Sequence, residues 1–433
     1  MGHMLEHSRA RRPRRSLGAA LIGCLLLTFA PLSVIPAAAD PAEEPSIPEG
    51  AYTATGTKVA GGSSIAQATT IEPGQYRDSF ETGPDAEGEG GTVKYYKVEL
   101  DPGERIHAAA TIAAPAPAEG IEDSYGTRLD ADLTVVTASG DSCTADSEQG
   151  IGDPNTGAGP VTATVLSGAL GPEECPGSAL FLRVQRRGEV FAEQPLPVEV
   201  QVAVQPAGLA AGEPSATEPI DDDGASPVAP TDAEPLIPGR SLADPQEVGP
   251  GSVLLELTPG QSAVLSIPVE LGQRLRWRTE ITAAPPDAGQ MSLRVHNSAR
   301  ELVPVGGGSW QIGAVGDIAG GGMPAPLALG NRGADDSGIA STWLPGQQRV
   351  IITRLPRTVD AESEKPEGSE PVRLILTLEV EGQAQDSEDV LDLGRDDSTL
   401  DWQRVAMLAG AGALGLLGIV LLTGGVLVLR RRG

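Results

Sequence analysis

The chain has 433 residues and a formal net charge of −28, from 59 acidic and 31 basic side chains. The basic residues gather at the two ends, so residues 40–401 hold 22 basic against 58 acidic side chains, a net of −36. A surface of that sign repels phosphate backbones and anionic headgroups, which argues against nucleic acid as a partner and makes solubility in an ionic exterior the plainest reading of the charge.

Taken in chain order, residues 1–39 have the three parts of an export signal. Arg9, Arg11, Arg12, Arg14 and Arg15 precede an apolar run over 17–35, and Ala37, Ala38 and Ala39 offer a cleavage site before Asp40. An uncleaved anchor is the alternative. Leu21-Ile22-Gly23-Cys24 has the form of a lipoprotein box, although Leu25 to Phe29 keep the stretch apolar beyond the cysteine, and Arg14-Arg15-Ser16-Leu17 leaves twin-arginine export open beside the general route. Residues 40–65 read as a loose leader. Arginine outnumbers lysine 27 to four, which reads as a GC-rich coding bias.

Two stretches, 66–205 and 246–381, read as copies of one plan. Pro73-Gly74-Gln75 leads to Val98-Glu99-Leu100 and then Gly103-Glu104-Arg105-Ile106; Pro259-Gly260-Gln261 leads to Val269-Glu270-Leu271 and then Gly272-Gln273-Arg274-Leu275. Leu133-Thr134-Val135 matches Leu293-Arg294-Val295, and each copy closes on a Val/Leu-rich strand, 198–204 and 372–380. Period-two alternation places Tyr96, Val98 and Leu100 inward, with Tyr95, Lys97 and Glu99 outward. Ile106, Ala108, Ala110 and Ile112 repeat the pattern, as do Val198, Val200, Val202 and Val204. The expected fold is all-β: two tandem antiparallel sandwiches of jelly-roll type, with no amphipathic helix in either. Residues 206–245, with eight prolines and Asp221-Asp222-Asp223, read as an extended acidic linker. Residues 382–401 read as an acidic stalk.

The C-terminus is expected to cross a membrane. Residues 405–429 carry no charge, Trp402 sits at one end, and Arg430, Arg431 and Arg432 follow at the other. The span is 402–429, with residues 430–433 cytoplasmic and the rest outside. No Leu-Pro-x-Thr-Gly motif precedes it, so retention in the plasma membrane is preferred to sortase attachment. Ala411, Gly415, Gly418 and Gly425 form a small-residue seam on which a second copy or a partner helix can pack.

Cys143 and Cys175 are the cysteines of the exported part; one disulfide is expected, with a two-cysteine metal site as the rival. Catalysis finds little to use. His107 and His296, on equivalent-looking strands, are the only exported histidines, and neither a His-Glu-x-x-His motif nor a phosphate-binding glycine loop occurs.

Gly91-Thr92-Val93-Lys94-Tyr95-Tyr96-Lys97-Val98-Glu99-Leu100-Asp101-Pro102-Gly103-Glu104 resembles the opening strands of bacterial pre-peptidase C-terminal domains. Asp130-Ala131-Asp132-Leu133-Thr134-Val135 resembles their later Asp-x-Asp-Leu strand. That resemblance covers about 120 residues of the first copy and implies a β-sandwich accessory of secreted enzymes and surface proteins, some members of which bind calcium. It makes Asp130 and Asp132, with Asp123 or Glu122, candidate Ca²⁺ ligands; a solvated strand start is the other reading. The functional expectation is a non-enzymatic, membrane-anchored protein that binds an envelope component or partner protein. An accessory subunit of a secretion or protease assembly, and an unrecognised hydrolase, are the alternatives.

Overall fold

The computed structural model describes residues 51–82, 92–114, 129–151, 160–188, 194–209, 212–226, 233–306, 308–355, 370–385 and 390–394. The expected signal peptide, Glu122, Asp123, the 402–429 span and its seam of Ala411, Gly415, Gly418 and Gly425 lie outside these residues. Among the described residues no helix is long and apolar enough to cross a membrane.

Four sheets carry the fold. The first module's inner sheet orders its strands Thr57–Lys58, Gly74–Phe80, Leu196–Gln205, Arg105–Ala113, Pro160–Ser167 and Thr144–Glu148. Its outer sheet runs Thr69–Ile71, Val93–Glu99, Ala179–Arg187, Asp130–Val136 and Gly150–Ile151. In the second module the outer sheet runs Glu234–Pro235, Gly251–Leu257, Val372–Gln385, Leu271–Ala283 and Ile318–Gly322. The inner sheet runs Gln246–Glu247, Ser262–Val269, Gly346–Arg354, Gln290–His296 and Leu302–Val303, with Ser309–Gln311 also paired to Gln290–His296. The five strands of the second module's outer sheet correspond in order to the first five of the first module's inner sheet, which adds Thr144–Glu148 at its edge. Even the short parallel pairings at the edges recur, Thr57 with Tyr76 and Glu234 with Val253. The expected repeat is therefore present in the topology.

Alternation explains why each sandwich closes. Tyr96, Val98, Ile106, Ile112, Val198, Val200 and Val202 fill the first core, while Leu265, Leu275, Trp277, Leu293, Ile352 and Leu376 fill the second. With so few aromatics, valine, isoleucine, leucine and alanine supply most of the apolar area between the sheets. The Cys143–Cys175 disulfide closes a separation of 32 residues and ties the end of Asp130–Val136 to the approach of Ala179–Arg187.

The connecting segments depart from expectation. Tyr52, in the expected loose leader, is buried, and Thr57–Lys58 pairs with Gly74–Phe80. Residues 212–226 of the expected acidic linker are a strap on the outer-sheet side of the second module, Glu234–Pro235 adds an edge strand to that sheet, and Gly239 to Leu242 lie on the inner side. Asp222 accepts from Arg276 at 2.9 Å and pairs with Arg274 at 2.7 Å, the Ala225 amide donates to the Trp277 carbonyl, and the Ser215 amide donates to Asn331. The composition is that of an unfolded segment, but an existing sheet face supplies partners that a free linker lacks. The expected stalk also departs: the strand Val372–Gln385 continues into it, and Val204 exchanges both backbone hydrogen bonds with Asp392, with Val390 and Leu391 buried beside Trp343.

Asp222→Ala removes the acceptor that two arginines share. Limited proteolysis is expected to cut 212–226 several-fold faster in this variant while both sandwiches stay intact; unchanged cleavage would mean that the backbone bonds alone hold the strap.

Candidate functional site

The two modules meet through faces that alternation assigns to solvent. On Leu196–Gln205 the valines point into the first core, so Glu199, Gln201, Ala203 and Gln205 point away from it. They are buried nonetheless, because the second module's inner sheet covers them. A small apolar cluster joins the two faces, with Ala113 of the first module against Val264 and Ile351 of the second, and Tyr52, Ala54 and Leu242 beside them.

A buried carboxylate is stable only when its charge and lone pairs are matched. Glu199, fully buried, accepts from Tyr52 Oη at 2.5 Å, from Arg300 Nη1 at 3.2 Å and from the Thr55 amide at 2.8 Å; the Ser241 hydroxyl is a fourth donor. Arg300 extends the network, donating from Nε to Gln201 at 3.0 Å and from Nη2 to Gln75 at 3.3 Å. Burial, then the charge of Glu199, pushes the Tyr52 hydroxyl well above its ordinary range, so it stays a donor. Five segments distant in sequence thus converge on one ion pair.

Local geometry aims Arg300. The turn 297–301 follows Gln290–His296, as 137–141 follows the matching strand Asp130–Val136. In the first turn the Thr137 amide donates to the Asp141 carbonyl and the Gly140 amide to Thr137; in the second, Asn297 donates to Glu301 and Arg300 to Asn297. Gly140 has φ +89° and Arg300 has φ +66°. An arginine therefore occupies a left-handed position that glycine holds in the other copy, at a backbone cost that the buried ion pair offsets.

The neighbouring residue anchors the other end of the junction. Glu301 accepts from His107 Nδ1 at 3.0 Å, Asn297 Nδ2 at 2.8 Å and Trp343 Nε1 at 2.9 Å. Burial alone would raise its pKa, but these hydrogen bonds and the charge of His107 hold it down to about 2. His107 Nε2 faces Gln205 Oε1 at 3.0 Å, and the same oxygen accepts from Arg332 Nη1 at 2.8 Å. The Arg332 guanidinium lies 4.6 Å from the Trp343 ring centroid. His296 has the opposite character. Its Nδ1 donates to the Arg300 carbonyl at 2.9 Å, and burial, reinforced by the charges of Arg294 and Arg300, lowers its pKa to about 4.

Where the two faces part, Thr162 and Pro160 of the first module and Ser292, Arg294, His296 and Thr353 of the second line a cleft. Its volume is about 30 Å³, room for about two water molecules. Ligand pockets are about tenfold larger, so this crevice is too small to be a substrate site.

Asp130 and Asp132 share the outward face of their strand. Asp132 is paired with Arg187 Nε at 2.6 Å, and Asp130 is also engaged within the protein. Among the described residues no group of three or more His, Cys, Asp or Glu side chains is placed to hold a metal. The two aspartates offer Ca²⁺ at most part of the six to eight oxygens it takes, and one is already matched by a guanidinium. The histidines are not on equivalent strands: His107 lies on Arg105–Ala113 and His296 ends Gln290–His296, yet both reach the junction. Glu199, Arg300, Glu301 and Tyr52 carry the junction without forming any sequence motif. Two signals were available: polar Glu and Gln on an otherwise valine strand, and Arg-Glu where the first copy has Gly-Asp.

No family model matches the chain, and no curated protein matches it. Among solved structures it is similar to the tandem CBM22-1–CBM22-2 domains of Xyn10C from Paenibacillus barcinonensis. The identity is 10%, covering 78% of this chain and 95% of that one, with a TM-score of 0.20. It is also similar to the CUB1-EGF-CUB2 segment of human MASP-1/3, at 9% identity over 70% and 99% of the two chains, with a TM-score of 0.16. Scores this low carry no argument about arrangement or activity.

Two outcomes test the junction. Arg300→Met strands the Glu199 charge and is expected to cost about 3–5 kcal/mol in urea unfolding, with part of the loss recovered when Glu199→Gln is added; equal stability of Arg300→Met and the parent chain would remove the ion pair from its central place. For Glu301 the folded pKa is depressed, so its contribution is complete above its ordinary pKa of 4.5 and is lost as pH falls through about 2. The thermal midpoint should drop over that window, and Glu301→Gln should flatten the drop.

Proposed function

We propose that this chain is a non-enzymatic, single-pass extracytoplasmic protein of the plasma membrane, which binds an envelope component or a partner protein through a fixed two-module surface. The observation that carries this reading is the buried Glu199–Arg300 pair with its ring of donors, which joins two repeat sandwiches into one body. Fixing two modules in register lets residues on both contribute to one surface, because the ordering cost is met on folding and not on binding. Support for a non-catalytic role comes from the chemistry of the junction. Both histidines are engaged in hydrogen bonds that hold the fold, His107 between Glu301 and Gln205 and His296 on the Arg300 carbonyl. The span at 402–429 and the basic residues after it support anchoring with the C-terminus inside.

The test is co-sedimentation of the detergent-solubilised full chain with isolated cell-wall fragments and, in parallel, with purified membrane-protein fractions. Saturable binding that weakens about tenfold in Arg300→Gly, which restores the first module's turn, is the expected result. Binding equally strong in that variant overturns the composite surface. Binding only to a membrane assembly, and only with residues 402–429 native, selects the accessory-subunit reading. Hydrolysis of cell-wall fragments by the chain would overturn the non-enzymatic one.

A further inference from the structure

The hydrogen-bond geometry around His107 dictates which protons it carries. Arg332 can only donate, so the Gln205 atom facing it is the amide oxygen, and that oxygen can only accept. The same oxygen lies 3.0 Å from His107 Nε2, so Nε2 bears a proton. The other ring nitrogen lies 3.0 Å from Glu301 Oε1, whose partner oxygen already accepts from Asn297 and Trp343. A bare Nδ1 there would set a lone pair against a carboxylate lone pair. Both nitrogens therefore donate, and His107 is an imidazolium bridging a strand of the first module to a turn of the second.

We infer that His107 is a proton-operated latch: with both ring protons it closes the Glu301 end of the junction, and loss of either proton releases that end while the Glu199 end stays shut. The release follows from counting bonds. A neutral imidazole donates to Gln205 or to Glu301 but not to both, and its bare nitrogen then faces an acceptor oxygen at 3.0 Å, lone pair against lone pair. On the Glu199 side Tyr52 keeps its proton, and His296, the histidine that touches Arg300, is held neutral by burial down to about pH 4.

The charges around the ring come from every neighbouring element. Glu301, on the 297–301 turn, favours the imidazolium directly, while Arg332, on Leu329–Gly333, opposes it and is turned toward Trp343 and Gln205. Arg105 on the same strand, with Asp146 and Glu148 on Thr144–Glu148, act at longer range through Arg332 and Glu301. Burial lowers the Arg332 pKa and Glu301 raises it again, which keeps that cation beside the carboxylate it shares with His107.

The experiment uses the full chain in detergent with ¹⁵N-labelled histidine, the His107 signals being assigned by their loss in His107→Gln. At about pH 5.5 both ring nitrogens of His107 are expected at imidazolium shifts, and those of His296 at neutral ones. As pH rises and the His107 proton leaves, amide exchange corrected for its intrinsic pH dependence should quicken about tenfold across 297–301 and 329–343 but not across 51–55 and 241–242. His107→Gln should show the faster exchange at every pH. A neutral His107 ring at the acid end, or protection of 297–301 that ignores the titration, overturns the latch.

Discussion

One ion pair, Glu199 with Arg300, decides how the molecule is arranged. Each partner is almost wholly removed from water, and an isolated charge so placed would cost several kcal/mol. Neither module is comfortable without the other: apart, Glu199 and Arg300 regain solvent, but Tyr52, Leu242, Val264 and Ile351 are left as an apolar patch. The pair does not supply most of the binding energy, because desolvation absorbs much of its Coulombic gain. It supplies register. In this placement of the two faces Glu199, Gln201 and Arg300 are satisfied together, and the apolar contacts beside them close in the same register.

The repeat makes the asymmetry of this contact visible. Because the first module's inner sheet matches the second module's outer sheet, the modules stack head to tail with unlike faces touching. Identical copies would present the same turn at both positions. They differ where it matters: the first copy has Gly140-Asp141, facing outward, and the second has Arg300-Glu301, facing the junction. Two substitutions in one turn thus supply both anchors, one for Glu199 and one for His107.

The sandwiches were legible from alternation because an apolar core imposes period two regardless of what lies outside it. Val198, Val200 and Val202, or Ile106, Ala108 and Ala110, can be read as inward without knowing the topology. The repeat was legible only in part: Gly103 and Gly272 precede equivalent strands, but Pro73-Gly74 opens Gly74–Phe80 while Pro259-Gly260 precedes Ser262–Val269, which matches Val93–Glu99. What could not be read was the fate of the outward residues. Glu199 and Glu99 look alike in sequence, each a glutamate between apolar neighbours on a strand, yet one is fully buried and the other exposed. The difference lies in which sheet face another module covers, and that is set by residues a hundred positions away. The strap escaped for a similar reason: a proline-rich acidic segment cannot fold alone, but composition says nothing of a ready-made arginine pair on a neighbouring sheet.

Head-to-tail stacking has no natural end, since the face that received one module recurs on the next. The chain resolves this at both ends. At the first module's outer sheet the turn that would reach a further partner carries Gly140 and has no guanidinium to offer. At the second module's outer sheet the strap lies over the equivalent receiving face. There Arg276 occupies the position that His107 holds in the first copy, counted from Gly272 and Gly103, and its carboxylate partner is Asp222 of the strap instead of a Glu301 from another module. The acidic segment therefore plays at the outer face the part that the second module plays at the inner one. The sheet face equivalent to the one that receives a module in the first copy is thus occupied in the second by the chain's own linker.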